Sequence, residues 1–98
     1  MYKEKIGYVS EQEKYYILEL EERLSALKEL IIVLNDQFLS EEKNNNLYEK
    51  IMNDIFHTKL LQDKWWREMK TKYNFKFYEN GKWMVNFDTN EVFLIIND

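Results

Sequence analysis

Residues 64–96 read KWWREMKTKYNFKFYENGKWMVNFDTNEVFLII, and inside this stretch the apolar pattern changes period. Up to Lys72 the large side chains recur at helical spacing, as Trp65 and Met69 do. Beyond it Phe75 and Phe77 alternate with Lys76 and Tyr78, and the same alternation runs through Trp83, Val85, Phe87 and through Val92, Leu94, Ile96. A period near 3.6 that gives way to a period of two predicts a helix followed by strands, here at 75–79, 82–87 and 91–96. Asn80-Gly81 suits a tight hairpin turn, whose central residues need positive φ, and Asp88-Thr89-Asn90 supplies the next turn.

Upstream, Ile17, Leu20, Leu24, Leu27, Ile31, Leu34 and Phe38 follow one another in steps of three and four, which places them in one stripe of a helix over 11–39. Ser10 and Glu13 have the spacing of a capping box, so the helix is expected to begin at Glu11. Leu30, Ile32 and Val33 widen the apolar face and predict a more deeply packed C-terminal end. Asn35, Asp36 and Ser40 bring turn and capping chemistry, and Glu41-Glu42 suits the start of a second helix over 41–72, although Asn44-Asn45-Asn46 would allow a start near Asn46. Leu47, Ile51, Ile55, Leu61, Trp65 and Met69, flanked by Tyr48, Met52, Phe56 and Trp66, form a broad face to close antiparallel against the first helix. The expectation is an α+β fold: an N-terminal segment 1–9, a long antiparallel helical hairpin, and a small antiparallel β-meander of two or three strands over 75–96. All of it would belong to one domain, because 98 residues are too few for two cores.

Composition narrows the chemistry. With 45% hydrophobic and 16% aromatic residues the chain has the material of a folded core. It has no cysteine, which removes disulfides and thiolate chemistry and fits a cytoplasmic location. No apolar run reaches signal-peptide or membrane-spanning length, so neither secretion nor membrane insertion is expected. The net charge of −4 is uneven: residues 1–58 hold 7 Lys and Arg against 12 Asp and Glu, residues 59–82 hold 7 against 3, and residues 83–98 hold none against 3. An acidic chain gains little from counterion release, which disfavours nucleic acid as the partner.

Catalytic patterns are not apparent. His57 is the only histidine, and Asp54 and Asp63 do not complete a metal-binding spacing around it. Gly7 and Gly81 are too far apart to make a phosphate-cradling loop, so no nucleotide cofactor is expected. Ser10, Ser25 and Ser40 read as caps or helix-surface residues, and the paired acids Glu21-Glu22 and Glu41-Glu42 as solvated faces. The expectation is a non-enzymatic protein without a cofactor.

Two features point toward binding instead. Adjacent helical residues point about 100° apart, so Trp65 and Trp66 cannot readily share one core. Either one ring joins Arg67 in an exposed anchor for a partner, or the sheet covers Trp66. The last strand, Glu91 to Ile96, is apolar on both faces, so Val92, Leu94 and Ile96 are candidate partner contacts, with an added peptide strand as one way to cover it.

The landmarks Ile6-Gly7-Tyr8-Val9-Ser10, Leu20-Glu21-Glu22-Arg23, Leu27-Lys28-Glu29-Leu30, Asn46-Leu47-Tyr48-Glu49-Lys50, Trp65-Trp66-Arg67-Glu68-Met69, Lys72-Tyr73-Asn74, Trp83 and Asn86 to Leu94 follow one another as a set. In order and spacing this set resembles the small "CXXX repeat peptide modification system" proteins encoded beside radical-SAM peptide maturases, over nearly the whole chain. The resemblance implies an accessory role in maturing a ribosomally made peptide, with the precursor peptide or the maturase as partner and no catalysis by this chain. Family members often carry a cysteine where Asn90 stands, so a thiol- or cluster-linked role does not carry over to this turn. The expected order of elements is also not that of the winged-helix domain common in precursor recognition.

A second reading is an acidic, phage-type inhibitor whose Glu11, Glu13, Glu19, Glu21, Glu22 and Glu29 imitate nucleic-acid phosphates toward a basic enzyme. Self-association of the heptad seam as a homodimer is compatible with both.

Overall fold

A computed structural model describes residues 2–36 and 41–97, with the side chains of residues 35, 36 and 41–45 left out. The chain is α+β, with a helical hairpin and a three-stranded antiparallel sheet. The elements are β1 (Tyr2–Tyr8), α1 (Glu11–Asp36), α2 (Glu41–Tyr73), β2 (Gly81–Val85) and β3 (Glu91–Ile96). The expected roles of Phe38 and Ser40, and of the side chains of Asn35 and Asp36, fall outside the described residues. Contacts divide the chain into two compact units, one of Met1–Leu18 with Lys64–Asp98 and one of Glu19–Asp63. No described helix is long and apolar enough to cross a membrane.

The first unit contains the sheet, whose order is β1-β3-β2. The β2–β3 hairpin forms as expected, pairing Trp83 with Leu94 and Val85 with Val92. The third strand comes from the N-terminal segment and not from residues 75–79: β1 pairs with β3 from Tyr2↔Ile96 to Tyr8↔Glu91, with a register break between Lys5 and Gly7. Residues 75–79 lie out of the sheet instead. Phe75 packs where a Cβ on Gly7 would stand, 2.7 Å from its ring, and the Lys76 ammonium reaches the Glu4 carboxylate at 3.1 Å. The Lys76 carbonyl accepts from the Trp83 indole at 3.0 Å. The backbone of 75–78 thus crosses the face of the sheet that bears Gly7, Glu4 and Trp83.

Asn80-Gly81 is also not the expected turn. Gly81 has no positive φ and is the first residue of β2, opposite Ile96. Close packing is what demands glycine there, because a Cβ would come within 2.7 Å of the Leu94 side chain. The positive φ values belong to Asn74, just beyond the end of α2, and to Asn90, at the turn into β3. Asn90 also donates from Nδ2 to the Val9 carbonyl at 3.2 Å, while the Val9 amide donates to the Asn90 carbonyl at 3.0 Å.

The capping box is complete: the Ser10 amide donates to Glu13 Oε1 at 2.8 Å, and the Glu13 amide donates to Ser10 Oγ at 3.1 Å. The buried side chains of this unit are Val9, Ile17, Trp65, Met69, Phe75, Val85, Val92 and Leu94, together with Lys14, whose ammonium reaches Glu11 at 3.0 Å.

In the second unit Leu27, Ile51 and Ile55 form a buried cluster, with Leu24, Ile31 and Leu34 packed against it. Leu24, Leu27, Ile31 and Leu34 of the α1 seam thus pack against α2 within this unit. Leu30, Ile32 and Val33 are exposed at 49%, 59% and 46%, contrary to the expected deep packing of this end of α1. At 100° per residue, five consecutive apolar residues encircle a helix, and one neighbouring helix covers only part of that circle.

Candidate functional site

The candidate partner contacts Trp65, Trp66, Arg67, Val92, Leu94 and Ile96 all lie in the first unit, and the structure separates them. Trp65, Val92 and Leu94 are 4%, 0% and 1% exposed and present almost no surface to a partner. Ile96 is half-buried and Arg67 exposed. A strand cannot be added alongside β3, because β1 and β2 occupy both of its edges. Trp66 is half-buried: it stacks on Trp83 of β2 at 5.5 Å between ring centroids and meets Trp65 edge-on at 4.7 Å. Of the two readings of the tryptophan pair, cover by the sheet is the one the geometry favours. The Trp65 Nε1 is buried and has no acceptor among the described residues.

Next to this cluster α2 carries an open depression lined by Lys64, Arg67, Glu68, Thr71 and Lys72. Its polar groups are largely engaged already. Lys64 lies 4.0 Å from Glu68, the Thr71 hydroxyl donates to the Arg67 carbonyl, and Lys72 donates to Glu13 Oε2 at 2.6 Å. Among the described residues Glu13 is the most perturbed acid. Its burial favours the neutral form, but donation from Lys72, the Ser10 amide and the Tyr73 hydroxyl outweighs this and lowers its pKa to about 2. Its side chain is only 13% exposed, so it is taken up by the fold and leaves the acid array that a phosphate mimic would need. Among the described residues no group of His, Asp and Glu is placed to hold a metal ion.

Two surfaces that the sequence reading did not single out are exposed. On α2 in the second unit, Tyr48, Met52, Phe56 and Leu60 follow one another at intervals of four and are 41%, 41%, 65% and 47% exposed. Tyr48, Met52 and Phe56 had been expected to help close the hairpin. Ile51, Ile55 and Thr58 are the buried residues on that stretch, and the exposed row lies beside them on the helix. The i, i+4 recurrence was visible in the sequence, but the apolar arc is wider than one neighbour covers.

The second surface is the outer face of the sheet. By register, Lys3, Ile95 and Lys82 form one row across β1, β3 and β2, and Lys5, Phe93 and Met84 form the next. Phe93 and Ile95 are half-buried, Met84 is 39% exposed, and the three lysines are exposed. The Lys3 ammonium sits 4.4 Å from the Phe93 ring centroid. Lys5 donates to the Tyr8 hydroxyl at 3.1 Å, which raises its pKa, and lies 3.7 Å from Glu91. Tyr2 to Tyr8, with Lys3, Glu4 and Lys5 in succession, carries no apolar alternation that would have marked it as a strand. No protein-family model, curated protein or solved structure matches this chain.

Proposed function

We propose that this chain is a non-catalytic binding protein that serves the maturation of a ribosomally made peptide in the cytoplasm, holding the precursor peptide or its radical-SAM maturase. The resemblance in the order and spacing of landmarks supplies the process. The observation that carries the binding role is the exposed row Tyr48, Met52, Phe56 and Leu60. Contiguous exposed apolar surface of this kind marks protein–protein contact, and apolar anchors repeating at helical spacing are how a helix face is read by a partner. Arg67 and Trp66 are less suited to the task, since Trp66 is stacked on Trp83 and its removal would disturb the sheet cover before any interface.

Co-expression of the chain with a precursor peptide and a radical-SAM maturase of the kind the resemblance implies, followed by size-exclusion chromatography, tests the reading. Co-elution that is lost in Phe56→Ser while the variant keeps its helical circular dichroism is the expected result. A chain that elutes free of both proteins refutes it.

A further inference from the structure

The outer sheet face has the layout of a small interface: Phe93 and Ile95 at its centre on β3, Met84 beside them, and Lys3, Lys5 and Lys82 on the two flanking strands. Three positive charges stand on this face of a chain whose net charge is −4. Only Lys5 has a described carboxylate neighbour, Glu91, whose side chain is 25% exposed. We propose that this face docks an acidic segment of another polypeptide, with carboxylates over the lysines and apolar side chains over Ile95, Phe93 and Met84. The proposal does not depend on the peptide-maturation reading and concerns a surface other than the α2 row.

Charge and shape both select this occupant. A positive patch draws a negative partner into register, and rim charges set encounter and specificity around an apolar centre. A nucleic acid would also meet the lysines, but single-stranded bases bind by stacking on aromatic platforms. The central positions here offer one aromatic ring, already capped by Lys3, beside the aliphatic Ile95 and the thioether Met84. Aliphatic surface is best buried by apolar side chains, which a polypeptide has and a sugar-phosphate strand lacks.

The test uses the full chain and a fluorescein-labelled synthetic peptide in which glutamates alternate with leucine and phenylalanine. Binding is read by fluorescence anisotropy, beside a matched peptide with glutamine for glutamate and a single-stranded thymidine oligonucleotide. The expected result is binding of the glutamate peptide, weaker by about tenfold or more for the glutamine peptide and for the Lys3→Glu, Lys82→Glu double variant. Amide shifts in a nitrogen-15 spectrum of the wild-type chain should then concentrate on Met84, Phe93 and Ile95, a measurement independent of how the variant folds. Equal binding of the glutamine peptide, preference for the oligonucleotide, shifts confined to other residues, or no binding of the glutamate peptide would each overturn the proposal.

Discussion

Glu13 ties the start of α1 to the end of α2 within the first unit, and its replacement by glutamine gives a prediction with a worked magnitude. One oxygen accepts from the Ser10 amide at 2.8 Å and from the Tyr73 hydroxyl at 2.5 Å, and the other accepts from Lys72 at 2.6 Å. The fall of its pKa from 4.5 to about 2 corresponds to about 3.4 kcal/mol of preference for the ionised form in the folded state. Lys72 is 57% exposed, and solvent screens its share, which brings the expected loss in Glu13→Gln to about 2 kcal/mol near neutral pH. A carboxylate with a depressed pKa contributes fully above its unfolded value and loses that contribution as the pH falls through its folded value. The gap between wild type and Glu13→Gln should therefore be complete above 4.5 and should close as the pH falls toward about 2. Glu4 and Glu11 also have lowered pKa values, but they are present in both proteins and cancel in the difference. Trp65, Trp66 and Trp83 all belong to the first unit, so urea unfolding followed by tryptophan fluorescence reads the region that holds Glu13. A stability difference that stays constant from about pH 7 to about pH 3 would refute the assignment of the effect to carboxylate ionisation.

Two further substitutions test the packing. Gly7→Ala should destabilise the first unit by about 1–3 kcal/mol, because its Cβ falls 2.7 Å from a Phe75 ring that is itself buried and stacked on Tyr73. Combining it with Phe75→Leu should cost less than the two separate losses together in urea titrations, and simple additivity would show that the ring is not the obstacle. Asn90→Ala should cost about 2 kcal/mol, part from the positive φ of 64° and part from the lost hydrogen bond to the Val9 carbonyl. Asn90→Gly should recover the conformational part alone, and equal losses in the two variants would count against a conformational role.

What could be read from the sequence depended on whether local pattern or distant pairing decided each element. The capping box at Ser10 and Glu13, the seam from Ile17 to Leu34, the helical run to Tyr73 and the β2–β3 hairpin are local, and each appears where its residues indicate. Residues 75–79 carry a strand's alternation as clearly as β2 does, yet Phe75 packs on Gly7 and Lys76 reaches Glu4, contacts with β1 across almost the whole chain that hold this segment over the face of the sheet. No local pattern contains that information, and residues 1–9, with Lys3, Glu4 and Lys5 in succession, read only as an N-terminal segment. The same gap explains the candidate contacts. Alternation puts Val92 and Leu94 on one face of β3 and Phe93 and Ile95 on the other, and only tertiary packing decides that the first pair is buried and the second half-buried.

Charge followed a similar course. Counted by position along the chain, residues 1–58 are acidic, and Lys3 and Lys5 are outnumbered there by glutamates on α1 and α2. Strand pairing removes these two lysines from that company and sets them with Lys82, from the basic segment, around Phe93 and Ile95. The acidic total counts against nucleic acid as the partner, but the field near a docking face comes from the charges within about a Debye length of it, roughly 8 Å at physiological salt. On the outer face of the sheet Lys3, Lys5 and Lys82 stand against the single carboxylate of Glu91, so the preference for an anionic partner arises from the fold and runs opposite to the net charge of the chain.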